Sequence, residues 1–179
     1  MESDQFEMKL GEHAKEFSLQ GADGKTHARK DFKKDILIVF FSCNHCPYVK
    51  AVEDRVIAFV KKYGKQVDVI AINSNDEVNY PQDSFTNMVA RGKEKKFNFV
   101  YARDESQDVA RAYGGLCTPH FFVFDKDRKL RYQGSFDDNW EHAAKAKEHY
   151  VENAVIALLA GKPIAKPTSA VRGCSIKWK

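Results

Sequence analysis

The chain lacks the long apolar runs and the dense cysteines that mark two large classes of protein. No stretch of the 179 residues is apolar enough for a membrane helix, and Met1–Gly11 carries acidic residues where a secretion signal would be apolar. Four cysteines in a chain of this length do not make a disulfide framework. The sequence therefore predicts a cytoplasmic protein with no membrane partner, in which cysteines serve chemistry or bind metal.

A concentration of charge of one sign is also missing. The formal net charge is +4, from 29 Lys and Arg against 25 Asp and Glu, and the basic residues are scattered. Such a distribution argues against a nucleic-acid partner. No internal repeat or low-complexity run divides the chain, so we predict one domain over residues 1–179, with an N-terminal extension to about residue 35, a core over 36–161 and a tail over 162–179.

The strongest local pattern is an apolar strand that runs into a Cys-x-x-Cys and then into a helix. Ile36–Phe41 is an unbroken apolar run, as expected of a strand buried on both faces. Cys43 and Cys46 follow it, apolar residues then recur at helical spacing over Val49–Tyr63, and Gly64 ends the pattern. Because a helix N-terminus has unpaired N–H groups and the positive end of the helix dipole, it favours a thiolate over a thiol.

Strands and helices alternate along the rest of the chain. A Gly-rich turn at residues 21–24 predicts a β-hairpin before the core, and the strand–helix–strand order that follows predicts a partly parallel sheet. The later predicted elements are a strand over Val67–Ile72, a helix from Pro81, a strand over Phe97–Tyr101, a hairpin over residues 121–133, and a helix that begins at Asp138 or Asn139 and ends near Leu159.

The cysteine pair satisfies the needs of disulfide exchange, which are an attacking thiolate and a second thiol that resolves the mixed disulfide. We expect Cys43 to be the exposed nucleophile at the helix cap and Cys46 the buried resolving thiol in the first turn. Pro47 suits a first turn, where its missing N–H costs little. Between the cysteines, Asn44 and His45 are supporting residues. A protonated His45 would lower the pKa of Cys43 and make the pair more oxidising.

Strand, Cys-x-x-Cys, helix and a later Thr118-Pro119 ahead of an apolar strand together resemble the thioredoxin-like superfamily. The N-terminal hairpin makes the chain most similar to the redoxin branch, the AhpC/TSA family of thiol-disulfide oxidoreductases and peroxiredoxin relatives. The resemblance implies an α/β fold, with a central mixed sheet flanked by helices and a hairpin extension. It also implies a cis bond at Thr118-Pro119 that faces the cysteines, a Thr118 backbone that pairs with an extended substrate, and a nearby Cys117.

The implied activity is thiol-disulfide exchange with a disulfide-containing protein or a small thiol. A thioredoxin or glutathione system is the expected electron source, and no bound cofactor or metal is implied. Two positions depart from thioredoxins, because Leu37 stands where they carry a buried acid and Ser42 where they carry Trp. The general base for Cys46 is therefore unassigned, with Lys50 and Glu53 as candidates.

A peroxidase is the first alternative, since the N-terminal hairpin resembles that of peroxiredoxins. Those enzymes place Thr or Ser three residues, and Pro seven residues, before the peroxidatic cysteine. Before Cys43 these positions hold Phe40 and Ile36. The peroxide-binding motif is therefore missing, and we expect at most slow turnover of peroxide through a sulfenic acid.

Metal binding and the last cysteine leave further alternatives open. A copper chaperone of the superfamily would use the two cysteines with His120, and zinc would need Cys117 and Cys174 as further ligands although they form no second Cys-x-x-Cys. Covalent haem is excluded, because Pro47 stands where a His is required. Cys174 is either a free thiol in the tail or, if the Ile and Trp after it pack back, a thiol that reaches the redox pair.

Overall fold

The computed structural model describes all residues from 1 to 179. None of its helices combines the length and the apolar content that crossing a membrane requires. The elements run in the order β1 (Glu2–Ser3), β2 (Ser18–Gly21), β3 (Thr26–Ala28), β4 (Ile36–Phe41), α1 (Pro47–Tyr63), β5 (Val67–Asn73), α2 (Phe85–Lys95), β6 (Val100–Arg103), α3 (Asp108–Tyr113), β7 (Cys117–Thr118), β8 (His120–Phe124), β9 (Leu130–Gly134), α4 (Tyr150–Leu159), β10 (Val171–Arg172) and β11 (Cys174–Ser175).

Seven strands form one mixed sheet in the order β3-β2-β6-β5-β4-β8-β9. Strand β4 lies parallel to β5 and antiparallel to β8, and β5 lies parallel to β6. All six residues of β4 are buried, as the unbroken apolar run predicts. The central mixed sheet with helices against it confirms the α/β, thioredoxin-like prediction.

The sheet has a hydrophobic layer on each face because side chains alternate along a strand. Leu37, Val39 and Phe41 point to the layer that contains α3, while Ile36, Ile38 and Phe40 point to the layer that contains α1 and α4. The aromatic rings of Phe40 and Phe121 stack with centroids 4.6 Å apart in the second layer. The carboxyl end of β4, where the cysteines follow, is therefore held from both sides.

The predicted N-terminal hairpin is present, with β2 paired to β3 around a turn that includes Gly24 at φ +81°. It is more closely integrated than an extension, because β2 also pairs antiparallel with β6 through Gln20 and Arg103. The hairpin thus forms one edge of the main sheet.

The prediction of a long helix from residue 138 is wrong at its start, since α4 begins only at Tyr150. Arg55 of α1 explains the difference. Its guanidinium donates to the carboxylate of Asp137 and to the backbone carbonyls of Asn139 and Trp140. These carbonyls would have accepted the first hydrogen bonds of a helix, so the segment is held as a loop with one short 3-10 turn at Ala143–Lys145.

The C-terminal tail has no helical or strand periodicity in the sequence, yet it forms two short strands. Strand β10 pairs with β1, and β11 pairs antiparallel with β7, opposing Cys174 to Thr118 and Ser175 to Cys117. The tail therefore ends against the segment that precedes Pro119.

Candidate active site

The turn between β4 and α1 places both cysteines below the surface. Cys46 is the N-cap of α1, with extended dihedrals of φ −66° and ψ 124°, and Pro47 is the first helical residue. The expectation that Cys43 is the exposed residue at the helix cap is therefore wrong, whereas Cys46 is buried as expected. Cys43 lies three residues before the cap, and the two cysteines are 1% and 0% exposed. Because proline lacks an N–H, the helix can begin at Pro47 without leaving an unpaired donor there.

Thr118 contacts both sulfur atoms from the opposite side. Its Oγ1 lies 3.4 Å from Cys43 Sγ, and its carbonyl oxygen accepts a hydrogen bond of 3.2 Å from the Cys46 thiol. The peptide bond to Pro119 is cis and adjoins these contacts, which confirms the predicted cis bond. The two halves of the site, 75 residues apart in the chain, thus meet at the cysteine pair.

The two thiols pack against each other, so their ionisations are linked. The pKa of Cys46 is lowered to about 5, first because the Cys43 thiol donates to it and further because Cys174 and the N–H of Val49 favour the thiolate. The pKa of Cys43 is raised, chiefly by that same hydrogen bond, then by burial and by the charge of Asp83. In its thiol form Cys46 donates to Thr118, and once ionised it accepts from Cys43. The two shifts run in opposite directions, so the thiolate is favoured at Cys46 and the thiol at Cys43.

His45 is paired with a buried carboxylate. Its Nδ1 lies 2.6 Å from Asp83 Oδ2, an ion-pair contact whose N–H direction is not aligned for a hydrogen bond. The imidazole also lies parallel to the ring of Tyr80, with centroids 6.3 Å apart. The lowering of the Cys43 pKa by His45 stays a prediction, and the carboxylate that lies against His45 raises that pKa.

Asp83 is the site residue that sequence reasoning missed. Its carboxylate is fully buried and accepts hydrogen bonds of 2.7 Å from the backbone N–H of Asn44 and from the side-chain amide of Asn75. It closes a 3-10 turn, Pro81–Asp83, that precedes α2. The sequence feature that could have revealed Asp83 is the polar segment after β5. The carboxyl ends of the parallel strands β4 and β5 meet at one edge of the sheet, so this segment lies beside the cysteines.

Asn44 holds the turn between the cysteines in place. Its side-chain NH₂ donates to the carbonyl of Gln82 at 3.0 Å, and its amide oxygen accepts from the hydroxyl of Tyr101 at 2.8 Å. Together with the backbone bond to Asp83, these contacts satisfy a side chain that is only 8% exposed. Asn44 is therefore a positioning residue for Cys43.

The candidate bases for Cys46 lie in other surroundings. Lys50 is exposed on α1. Glu53 is buried on the same helix, where its carboxylate forms an ion pair with Arg91 of α2. Leu37 is fully buried within the sheet, as its apolar side chain requires. The buried acid of this site is thus Asp83, which comes from a different element.

The two extra thiols have different surroundings. Cys117 is fully buried and its pKa is raised to about 12, mainly by burial. Cys174 is half-buried, packs against the cluster of Cys43, Cys46 and Val49, and has a pKa raised to about 11 by burial and by its hydrogen bond with Cys46. Cys117 is therefore a core thiol beside the pair, whereas Cys174 touches it.

The C-terminal tail packs against the body of the protein, which is the condition under which Cys174 was expected to reach the redox pair. Ile176 is 3% exposed in the hydrophobic layer under β4. Trp178 remains 40% exposed, with its ring 4.5 Å from the guanidinium carbon of Arg111. A buried side chain and a cation–π contact thus add to the hydrogen bonds that hold the last residues.

One group of possible metal ligands forms at the site, and it differs from the expected ones. The ligand atoms of Cys43, His45 and Asp83 lie within 4.8 Å of one another. His120, the histidine of the copper alternative, is outside this group. It is fully buried with its ring 4.2 Å from that of Phe122, and burial lowers its pKa to about 3.

Comparison with known proteins agrees with this architecture. Residues 10–133 match the family model described as AhpC/TSA family. The thiol-disulfide oxidoreductase ResA of Bacillus thuringiensis subsp. konkukian is 28% identical over 130 residues, which cover 69% of this chain and 68% of that protein.

Two crystal structures are similar over almost the whole length. An uncharacterized conserved protein from Geobacillus kaustophilus is 39% identical with a TM-score of 0.91, covering 97% of this chain and 95% of that one. A hypothetical protein from Sinorhizobium meliloti 1021 is 36% identical with a TM-score of 0.90, covering 99% of both chains. The similarity therefore includes the C-terminal tail, which lies outside the matched family region.

Proposed function

The chain belongs to the AhpC/TSA family, and from that premise we propose that it is a thiol-disulfide oxidoreductase that works through Cys43 and Cys46. The observation that carries the proposal is the packing of the two sulfurs against each other just before α1, with Thr118 in contact with both. The lowered pKa of Cys46 and the raised pKa of Cys43 favour an attacking thiolate beside a protonated partner that can resolve the mixed disulfide.

The proposed reaction moves two electrons from the pair to a substrate disulfide. The thiolate of the pair attacks one substrate sulfur, a mixed disulfide forms, and the other substrate sulfur leaves as a thiolate that takes up a proton. The second cysteine then gives up its proton and attacks the enzyme sulfur of the mixed disulfide. A Cys43–Cys46 disulfide forms, the remaining substrate sulfur leaves, and two substrate thiols have replaced one disulfide.

The proposed substrate is a disulfide in a protein or a small thiol, and the proposed electron donor is a thioredoxin or glutathione system. The relative ResA, named as a thiol-disulfide oxidoreductase, supports thiols and disulfides as the substrate class. Retaining the cytoplasm as the proposed compartment, we expect the pair to act as a reductant, because that compartment keeps thiols reduced.

Turnover of a model disulfide tests the activity. Reduced protein should accelerate the reduction of insulin by dithiothreitol, and both Cys43→Ser and Cys46→Ser should abolish the acceleration because each lacks one of the two sulfurs. Cys117→Ser is the matched control, since that thiol is buried beside the pair without belonging to it. Wild-type rates in either of the first two variants would refute the proposal.

The equilibrium of the pair with glutathione buffers tests the direction of electron flow. Alkylation of free thiols followed by mass measurement gives the reduced fraction in each buffer. A potential near or below about −250 mV means a reductant in the cytoplasm, and one near about −150 mV means an oxidant. The measured value decides between the reductant expected in the proposed compartment and the oxidant favoured by a stabilised Cys46 thiolate.

Slow peroxide reduction is a second candidate, favoured by the match to the AhpC/TSA family. The thiolate would attack one peroxide oxygen, forming a sulfenic acid and releasing hydroxide, and the second cysteine would displace water to form the disulfide. The positions before Cys43 argue against a fast reaction, because Phe40 and Ile36 are buried apolar residues of β4. Consumption of hydrogen peroxide in the presence of a thiol reductant should be slow, and a fast rate would reverse this ranking.

A further inference from the structure

The C-terminal tail covers the redox pair as a short strand. Strand β11 adds to the edge of β7, opposing Cys174 to Thr118. Thr118 is the same residue that contacts both redox sulfurs. The pairing therefore brings the Cys174 side chain against the cluster of Cys43, Cys46 and Val49, where Cys46 and Cys174 each shift the pKa of the other.

The residues after Cys174 anchor this strand to the rest of the site. The backbone N–H of Lys177 donates to the side-chain oxygen of Asn75 at 2.9 Å, and the carbonyl of Lys177 accepts from Asp76 N–H at 2.8 Å. The side-chain oxygen of Gln107 accepts a hydrogen bond from the backbone N–H of Lys179, and its side-chain NH₂ donates to the carbonyl of Lys177. Asn75 in turn donates to Asp83, so the tail and the buried carboxylate share one side chain.

A free tail residue would show none of these contacts. The tail is held by backbone pairing on one side, by side-chain amides on the other and by the buried Ile176 between them. The sulfur of Cys174 is consequently presented to Cys46 at a fixed place. Two thiols held close together can form a disulfide without a large movement of the backbone, which is the main geometric requirement.

We propose that Cys174 is a third redox-active thiol, which exchanges with the Cys43–Cys46 disulfide to form a Cys46–Cys174 disulfide and set Cys43 free. The exchange rests on the proposed function, which supplies the Cys43–Cys46 disulfide. It makes the tail an internal thiol partner that occupies the redox pair when no external substrate is bound.

The exchange involves no net oxidation. The Cys174 thiol gives its proton to solvent and its sulfur attacks Cys46 Sγ. The bond between Cys43 and Cys46 breaks as the bond between Cys46 and Cys174 forms, and Cys43 leaves as a thiolate. The hydroxyl of Thr118 contacts Cys43 Sγ and can stabilise the leaving thiolate. The hydrogen bond with Cys46 that raises the pKa of Cys43 is also lost, because Cys46 then lies in the new disulfide.

Oxidation of a Cys43→Ser variant by oxidised glutathione tests the proximity directly. Glutathione first forms a mixed disulfide with Cys46, and Cys174 should then displace it, leaving one internal disulfide and no bound glutathione. Peptide mass mapping without reduction should find the peptides of Cys46 and Cys174 joined. The double variant Cys43→Ser with Cys174→Ser should instead retain glutathione on Cys46. Retained glutathione in both variants would overturn the proposal.

Gly173→Ala, added to the Cys43→Ser variant, tests whether the strand position matters while every remaining thiol is kept. A methyl group on Gly173 would overlap the backbone carbonyl of Thr118, so the strand must move away from β7. The yield of the internal disulfide should fall several-fold. Gly92→Ala in the same background is the control, because its added methyl would meet only Phe97 at an ordinary 3.8 Å. An unchanged yield in both glycine variants would contradict the role given to the strand.

The wild-type chain separates this proposal from the proposed function. Oxidised wild-type protein should be a mixture of molecules with a Cys43–Cys46 disulfide and molecules with a Cys46–Cys174 disulfide, and Cys174→Ser should contain only the first form. Insulin reduction with a Cys43–Cys46 disulfide but no Cys46–Cys174 linkage would leave the proposed function standing and remove the third thiol. An internal Cys46–Cys174 disulfide without insulin reduction would support the third thiol and refute the proposed function.

Discussion

Asp83 Oδ2 lies 2.6 Å from His45 Nδ1, and the carboxylate is completely buried. Two neutral donors, the backbone N–H of Asn44 and the amide of Asn75, complete its contacts. A positive charge on His45, which lies between the two cysteines, would therefore be balanced by the negative charge of Asp83. The carboxylate adds to what the partner thiol and burial do, since its charge also raises the pKa of Cys43.

Replacement of Asp83 by Asn should lower the pKa of Cys43, because a negative charge near the thiol is removed. The variant keeps the size of the side chain and the possibility of accepting the N–H of Asn44. Thiolate absorbance in the ultraviolet, followed against pH in a Cys46→Ala background, measures the change. Asp127→Asn, at an exposed turn, is the control. An unchanged or raised pKa in Asp83→Asn would contradict the assignment.

The reduced wild-type protein should show a thiolate transition near pH 5, because the pKa of Cys46 is lowered to about that value. The thiolate is present above this pH and is lost as the pH falls through it. Cys43→Ala should move the transition upward, towards the ordinary value for cysteine, since the strongest hydrogen bond to the thiolate is removed. Thiolate absorbance measures both. A transition that stays near pH 5 in Cys43→Ala would show that the partner thiol is not its cause.

His120 should make the folded protein sensitive to acid. Burial lowers its pKa to about 3, whereas an unfolded histidine titrates near about 6.5. Above pH 6.5 neither state is protonated, and as the pH falls towards 3 only the unfolded state gains the proton. The free energy of unfolding therefore falls over this range, by an amount on the order of 4 kcal/mol.

Urea unfolding measured across that pH range checks the effect of His120. His120→Gln should lose less stability between pH 6.5 and pH 3 than the wild type does, whatever its stability at neutral pH. His142→Gln, at an exposed position, should follow the wild-type curve. Parallel curves for wild type and His120→Gln would rule out this histidine as the source of acid sensitivity.

Phe121→Ala should destabilise the fold by about 3 to 5 kcal/mol, because a large buried side chain is replaced by a cavity. Phe121 is 1% exposed, stacks on Phe40 and lies 5.3 Å from the ring of Phe136. Val78→Ala is the control, since its side chain is 81% exposed and its loss should change stability by less than about 0.5 kcal/mol. Chemical denaturation of both variants at neutral pH provides the comparison.

Local patterns were sufficient wherever neighbouring residues decide the structure. An apolar run made Ile36–Phe41 a buried strand, helical spacing of apolar residues gave α1 without its exact start, and the turn with Gly24 made the hairpin. The Cys-x-x-Cys and the cis bond before Pro119 followed from the same reading and the resemblance it supported. The extent of α4 did not, because Arg55 of another helix takes the carbonyls that its predicted first turn needed.

By itself, then, the sequence determined the sheet, the helix that follows the cysteines and the family to which the chain belongs. Only the tertiary structure decided which groups act on them. Asp83 lies 39 residues from Asn44 in the chain, and Thr118 lies 72 residues from Cys46. Cys174 reaches the site through β11, a strand that no periodic pattern in the sequence predicts. Burial and hydrogen bonding between such distant segments set the pKa values of the thiols, because these depend on what surrounds a sulfur in space rather than along the chain.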